Sequence, residues 1–486
     1  MELDKLIKNV KVINKFNYKN LNISLLCHNS KQAKKNSLFF CINGTNLSGE
    51  NYVNEAIKNG AVAIVTEKQL DVNVPQIVVE NVRIAMSQIS KAFYLNACDK
   101  LKIIMVTGTN GKTSITYILQ SIFNTAGIKC AIIGTNGIFC DNKQLYYGLT
   151  SPDPIDLHYY FLQLKNLKVK VVIMEASAHA IYLNKLYGIK GEAIIFTNLT
   201  NEHLDFFGDM LSYANTKINY INSNNFKLIV ANADTEYSNK IKQNNTLFYG
   251  LKNPAHTFAV NITSSLNGTN FFVNCSDEVF EVSSSLVGLY NVYNLLACIT
   301  TSYALGVSPE IIKKGIENLK QIPGRFNVYN LDLNNKIIID FAHTPDGFLN
   351  VLSEVKNYRS GKIITLFGCV GYSDVIKRNE MGKIANDYSN EIIITTDNPN
   401  YTKFTDIALD IKKFITVPCI EIENRFNAIE YGINKLFKND TLIILGKGAE
   451  TTNLINGKKI EHNDFEAVKQ IIEKNYNFKF SKKDNA

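Results

Sequence analysis

The stretch KIIMVTGTNGKTSITYILQ, residues 102–120, decides the fold of the region around it. Ile103, Ile104, Met105 and Val106 form an apolar run that ends at Thr107, which reads as a buried strand. Gly108-Thr109-Asn110-Gly111 follows at once as a turn. Lys112-Thr113-Ser114 then opens a pattern of apolar residues, Ile115, Ile118, Leu119 and Ile122, at helical spacing. Strand, glycine turn and helix together make a phosphate loop. Gly108 and Gly111 let backbone N–H groups turn toward an anion, and the helix N-terminus adds the positive end of its dipole. In this reading Lys112 reaches the β- and γ-phosphates of a nucleotide, and the Thr113 hydroxyl holds magnesium. Only two residues separate the glycines, where the ordinary nucleotide-triphosphatase loop has four.

At 486 residues the chain is too long for one core, and two to four domains are expected. Its balance of 45% hydrophobic and 20% charged residues is that of a globular protein. The net charge of +8 suits an anionic ligand but is not gathered into an arginine-rich patch, so no nucleic-acid partner is expected. The nine cysteines include no C-x-x-C pair, which reads as reduced cytosolic thiols. MELDKLIKNV has acidic residues and no long apolar core, so no signal peptide is expected. No apolar run approaches the ~20 residues of a membrane span. A soluble, cytoplasmic monomer with no membrane partner is the expectation.

Three blocks follow. Residues 1–98 hold strand-like runs (SLFFCI, AVAIVT, PQIVVE) around one helical stretch, a small α/β module. Residues 99–330 start with the phosphate loop and continue through AIIG, VVIME, AIIFTN and KLIVAN. Such continuous apolar strands between helices predict a parallel sheet covered on both faces. A β-rich stretch follows near residues 256–287. Residues 331–486 repeat the alternation in KIIIDF, KIITLFG, EIIITTD and TLIILG, a second, Rossmann-like doubly wound domain. Ligands of such sheets bind at the carboxyl ends of the strands. Here those ends read DFAHTPD, FGCVGYSD, TDNPN and GKGAE, and the tail NFKFSKKDNA reads as solvated.

Glu175 closes the strand VVIME, where a buried carboxylate is costly unless it is paired or bound to a metal. His203 follows another strand. Taken alone, Glu175 reads equally well as a structural residue, and a lone histidine is more often a packing or hydrogen-bonding residue than a ligand. Both gain meaning from standing at the mouth of the sheet that carries the phosphate loop. The succession GTNGKTS, TSPDP, MEASAHA, TNLTNEHLDFFGDMLSYANTK, LVGLYNVYNLLA, IPGRF, DFAHTPD, TDNPN and GKGAE resembles the Mur ligases almost end to end. Those enzymes form amide bonds in peptidoglycan synthesis at the expense of ATP. DFAHTPD, the GC-G loop and the DNP triplet resemble the branch that extends UDP-N-acetylmuramoyl-L-alanyl-D-glutamate with a free amino acid.

The resemblance implies a three-domain architecture, ATP and magnesium as cofactors, and a set of roles. Gly108, Thr109, Asn110, Gly111, Lys112, Thr113 and Ser114 would bind the phosphates. Asn291 and Asn294 would stand on the adenine side, with Arg325 and Asp340 facing the nucleotide from the third domain. Thr113 would hold one magnesium, while Glu175 and His203 would help to hold a second. Lys217 matches a lysine that the family carries as a carbamate, and would be catalytic with Lys112, Glu175 and His203. Ser30, Thr150, Ser151, Ser177 and Lys185 match positions around the UDP-sugar peptide. Arg378, Asp397, Asn398, Asn400, Gly446 and Glu450 match positions around the amino acid.

Four departures stand against the family pattern. Asn400 replaces the arginine of D-N-P-R, and Ala449 the histidine of G-K-G-H-E. Tyr372-Ser373-Asp374 continue the GC-G loop differently, and Leu183 and Lys185 stand where glutamine and arginine are frequent. Losing the Asn400-position guanidinium removes a bidentate partner for a distal carboxylate. On this ground meso-diaminopimelate is not the expected acceptor, and L-lysine is. Two other readings stay open: an amide ligase of another pathway, of the polyglutamate or cyanophycin type, and a nucleotide-binding subunit without catalysis.

Overall fold

The computed structural model describes residues 1–44, 48–141, 143–371 and 375–476. Thr45, Asn46 and Leu47 of the first block, Tyr372-Ser373-Asp374 and the tail NFKFSKKDNA lie outside the described residues.

Three main sheets build the molecule. The first has five strands, in the order Val12–Phe16, Gln76–Val79, Ala61–Thr66, Ser37–Phe40 and Leu25–Cys27, all parallel except the first. Helices Leu3–Ile7 and Val82–Phe93 pack with it, beyond the one helical stretch the sequence suggested.

The second sheet has eleven strands. Its parallel centre runs Thr246–Gly250, Leu228–Asn232, Ala193–Phe196, Lys102–Thr107, Val171–Glu175 and Cys130–Gly134. Alternate residues feed two cores, because side chains of a strand point to opposite faces. Ile104, Val106, Val171 and Ile173 join one core with the helix residues Ile115, Ile118, Leu119 and Ile122. Ile103, Met105, Val172 and Met174 join the other. The sheet is not parallel throughout. A meander of Thr257–Ser265, Gly268–Cys275 and Glu278–Ser284 extends one edge, and the hairpin of Gly137–Cys140 and Lys143–Tyr146 extends the other.

The third sheet has six strands, ordered Asn327–Asn330, Lys336–Asp340, Thr441–Leu445, Ile363–Phe367, Glu391–Ile394 and Cys419–Glu421. All but the first pair are parallel. Ile338, Ile443 and Leu445 face one core, and Ile337, Ile339, Leu442 and Ile444 the other. The parallel register sends the segments after Asp340, Phe367, Ile394 and Leu445 to one edge. A separate hairpin, Thr452–Ile455 with Lys458–Glu461, leans on the segment after Ile394 through an Asn400–Ile455 bridge.

All nine cysteines are free, and eight are buried. Among the described residues no helix is long and apolar enough to cross a membrane.

Candidate active site

Gly111 precedes helix Lys112–Thr125 with φ +88°, and a Cβ there would stand 2.3 Å from Asn294 Oδ1. Both the turn and the close approach of Asn294 therefore require glycine. Lys112 Nζ donates to the carbonyls of Gly108 (3.0 Å) and Thr109 (2.5 Å). Asn294 donates to Asn291 Oδ1 at 3.0 Å, and Asn291 to Val287 O at 2.8 Å. A cavity of about 190 Å³ opens beside Leu286, Val287, Asn291, Lys320 and Arg325.

Glu175 ends its strand 1% exposed, and its carboxylate is fully engaged. It accepts from Thr113 Oγ1 at 2.9 Å, Thr135 N at 3.0 Å and Thr135 Oγ1 at 3.1 Å. Thr135, which sequence reading passed over, also lies 3.3 Å from Thr150 Oγ1. Ser151 Oγ donates to Glu175 O at 2.9 Å and sits 3.3 Å from Ser177 Oγ. Lys185 pairs with Asp153 at 2.9 Å, and His28 lies 3.9 Å from that same carboxylate. His28 brings the first domain to this edge, two residues before Ser30, whose hydroxyl donates to Glu55.

The segment that leads into the third sheet, and that sheet's first loop, reach into the phosphate loop, so the third domain begins before residue 331. Arg325 NH2 donates to Thr113 Oγ1 at 2.9 Å, and the guanidinium lies 4.5 Å from the Phe341 ring centroid. Asp340 is buried and accepts from Phe326 N and Ala342 N at 2.7 and 2.6 Å. Burial raises its carboxyl above the usual range, against the charge of Arg325. Asp346 accepts from Asn110 Nδ2 at 2.7 Å, and Glu202 Oε1 lies 3.4 Å from His343 Nε2. Neither contact has a local sequence signal, since each joins residues far apart in the chain.

His203 stands with Glu202 (3.7 Å) and the His179 ring (4.6 Å), apart from the Thr113–Glu175 pair. Among the described residues no three His, Cys, Asp or Glu side chains gather at metal-holding distance. Burial, opposed by Glu202, holds His203 below its ordinary range, which favours the neutral ring. Lys217 is fully buried, and its Nζ donates to Tyr213 Oη at 2.6 Å. Tyr213 Oη in turn lies 3.1 Å from Thr109 Oγ1. Burial, and then the charge of Lys112, push the Lys217 amine well below its usual value.

Of the positions matched to the amino acid, Asp397, Asn398, Gly446 and Glu450 come together from two loops, and Arg378 stands apart on helix Val375–Tyr388. Lys447, fully buried and given no role from the sequence, donates to Glu450 at 2.8 Å and lies 3.6 Å from Asp397. Asn398 Nδ2 donates to Glu450 at 3.0 Å. Gly446 has φ +109°, and a Cβ there would meet Asp397 Oδ2 at 2.3 Å. Arg378 is bound to Asp410 at 2.8 Å and to the carbonyls of Val370 and Gly371. Ala449 lines a second cavity, of about 230 Å³, with Tyr117, Asn136 and Pro323.

A phosphate loop closed over by a Rossmann-like domain that carries its own polar loops defines a nucleotide-binding protein with a second ligand site, and the comparisons with known proteins make its class an ATP-dependent ligase that joins an acid to an amine. Residues 106–302 match the Mur ligase middle domain, residues 324–448 the Mur ligase glutamate ligase domain, and residues 22–94 the Mur ligase family catalytic domain. The chain belongs to the Mur ligase family. It is similar to a UDP-N-acetylmuramoyl-L-alanyl-D-glutamate–2,6-diaminopimelate ligase of Caldanaerobacter subterraneus subsp. tengcongensis. The two are 37% identical over 97% of this chain and 99% of that one. The ligase of the same name from Bacillus velezensis is 36% identical, over 92% of this chain and 94% of its own. A solved structure of a ligase of that name superposes with a TM-score of 0.68 at 27% identity, covering 98% of this chain and 99% of the other. The MurF ligase of Thermotoga maritima in complex with ADP shares the fold, with a TM-score of 0.63 at 19% identity over 92% and 97% of the two chains.

These relatives overturn the expectation about the acceptor. Those two and three further relatives, at 34–37% identity, are named as diaminopimelate ligases, whereas Asn400 had pointed away from that amino acid. The physical reason lies in what Asn400 does. Its N donates to Leu454 O at 2.8 Å, its O accepts from Asn456 N at 2.8 Å, and its Oδ1 accepts from Gly457 N at 2.9 Å. Asn400 is a strut between the loop and the hairpin, so the loss of one guanidinium there does not set the acceptor.

Proposed function

We propose that this ligase adds 2,6-diaminopimelate to the D-glutamate carboxylate of UDP-N-acetylmuramoyl-L-alanyl-D-glutamate, in the cytoplasm, during peptidoglycan precursor synthesis. The observation that carries the reading is the meeting of Arg325 and Glu175 at Thr113 of the phosphate loop, with Ala449 of the second polar loop lining a cavity beside Tyr117 of the phosphate-loop helix, in a chain similar over nearly its whole length to ligases of that name.

A carboxylate is a poor acylating group, so the γ-phosphoryl of ATP is first transferred to it. Lys112 offsets the charge on the transferring group, and Arg325 approaches the same point from the third domain. The amine of the amino acid then attacks the acyl phosphate, and the tetrahedral adduct collapses to amide and phosphate. Asp397, Asn398 and Glu450 orient that amine, and the Asn110–Asp346 and Glu202–His343 contacts keep the third domain closed against water. Asn291 and Asn294 line the side of the adenine. Ser30, Thr150, Ser151, Ser177 and Lys185 line that of the UDP-sugar peptide.

The Thr113 hydroxyl and the Glu175 carboxylate, 2.9 Å apart, are hard oxygen donors that fit magnesium, whereas His203 stands with Glu202 and His179 and does not join them. When bound, the cation neutralises phosphate charge. Lys217, with its amine held neutral, is suited to take up carbon dioxide as a carbamate.

The test is a panel of amino acids supplied with the UDP-linked dipeptide, ATP and magnesium, read by phosphate release. Diaminopimelate should give the highest kcat/KM. Turnover of another amino acid with none for diaminopimelate would overturn the proposal.

A further inference from the structure

Behind the two acceptor loops lies a buried ion pair that the reaction itself does not use. Arg425, first residue of helix Arg425–Asn434, is 2% exposed, and Asp464, first residue of helix Asp464–Tyr476, is 0% exposed. Arg425 Nε donates to Asp464 Oδ1 at 2.8 Å and NH2 to Oδ2 at 2.7 Å, a two-pronged pair. The same guanidinium also donates to two main-chain carbonyls, Thr396 O at 3.3 Å and Leu445 O at 2.9 Å.

Those two carbonyls sit at the roots of the acceptor loops. Thr396 immediately precedes Asp397-Asn398, and Leu445 immediately precedes Gly446-Lys447. The strands that lead to them, Glu391–Ile394 and Thr441–Leu445, are not neighbours, because Ile363–Phe367 runs between them. Sheet hydrogen bonds therefore do not join the two loops, and Arg425 spans the gap. The residues just before Asp464 hold the far end of the second loop. His462 N donates to Thr451 O at 3.0 Å, and Asn463 Nδ2 donates to Glu450 O at 3.0 Å. His462 Nε2 lies 2.8 Å from Asp464 Oδ1.

A buried ion pair is weak as a source of stability, since an apolar pair of similar volume often serves as well or better. Its geometry points to positioning. We propose that Arg425 and Asp464 are positioning residues of the acceptor site: they set the spacing between the Asp397–Asn398 loop and the Gly446–Glu450 loop. Both loops then grip one incoming amino acid at its α-amino and α-carboxylate ends. This rests on the reading of these loops as the acceptor site.

The experiment compares wild type, the double variant Arg425→Met/Asp464→Leu and the single variant Arg425→Lys. Each is assayed by phosphate release against diaminopimelate, ATP and the UDP-linked dipeptide, and its melting temperature is measured. Wild type without saturable diaminopimelate turnover overturns the reading of the loops, and the proposal with it. Given wild-type turnover, the double variant should melt no lower than wild type. Its KM for the amino acid should rise about tenfold or more, the loss of roughly one hydrogen bond to it. Its KM values for ATP and the dipeptide should stay within about twofold, because the residues read as holding those ligands lie outside the two loops. Should the double variant not fold, Arg425→Lys decides. A lysine keeps the charge beside Asp464 but cannot reach both carbonyls, so the same selective rise is expected. An unchanged amino-acid KM, or an equal rise in all three, overturns the proposal.

Discussion

Gly134→Ala isolates the placement of the Glu175 carboxylate from its chemistry. Gly134 closes strand Cys130–Gly134 and is not among the glycines with positive φ, so its backbone accepts alanine without strain. The added methyl would stand 2.2 Å from Glu175 Oε1 and 2.8 Å from its Cδ. Ordinary contact begins at 3.4 Å, so the carboxylate must retreat by about 1.2 Å. That distance breaks or stretches the bonds from Thr113 Oγ1 and Thr135 N, now 2.9 and 3.0 Å. Overpacking of this kind costs about 1–3 kcal/mol of stability. A misplacement near 1 Å at a reacting centre costs about 10²-fold in rate. The assay is phosphate release by the purified variant at saturating ATP, with magnesium titrated and folding checked by circular dichroism. Turnover should fall by about 10²-fold, and half-maximal rate should need more magnesium. A folded variant with wild-type turnover and wild-type magnesium dependence refutes the assignment of Glu175.

Lys112→Ala should leave the melting temperature nearly unchanged and lower kcat by about 10²-fold or more, the usual loss of a preorganised charge contact, measured by phosphate release. Lys217→Ala should lose most activity and regain part of it with a short carboxylic acid in the buffer, and intact-protein mass spectrometry of wild type should show the carbamate adduct. Arg425→Ala leaves Asp464 a buried charge with only the His462 ring beside it and should cost about 3–5 kcal/mol in urea unfolding. Burial alone would raise the Asp464 carboxyl, but Arg425 and His462 hold it below the usual range. The stability it contributes is then fully present above its unfolded pKa, about pH 3.9, and is lost as pH falls through its lower folded value. The gap between wild type and Arg425→Ala should accordingly be complete at neutral pH and narrow in acid.

Much of the fold was legible because continuous apolar runs report strands buried on both faces. KIIMVT, VVIME, KIIID and TLIIL each feed two cores by simple alternation, which is why they read as parallel strands. The hairpin of Gly137–Cys140 and Lys143–Tyr146 was not legible. It lies at the edge of the central sheet, and half of it, KQLY, is polar and exposed or half-buried, so no apolar period marks it. The short edge strands Leu25–Cys27 and Cys419–Glu421 have three residues each, too few for any period to register.

The site divides along the same physical line. Residues whose role follows from the backbone around them, such as Gly111, Lys112 and Thr113, stand out because strand, turn and helix leave a pattern in adjacent positions. Residues whose role comes from a distant partner do not. Asn110 and Asp346 are 236 positions apart, and Thr113 and Arg325 are 212 apart, so only the closed fold brings them together. Asn400 shows the cost of reading a side chain without its partner. From the sequence it is a missing guanidinium in a pocket wall, and in the fold its Oδ1 is occupied by Gly457 N. In the proposed reading the amine is oriented by Asp397, Asn398 and Glu450 on two loops, which buried Lys447 ties together. Selectivity spread over two loops depends on their spacing, and spacing is set by residues behind the site. A single substitution at position 400 should therefore shift acceptor preference less than a change that moves one loop against the other.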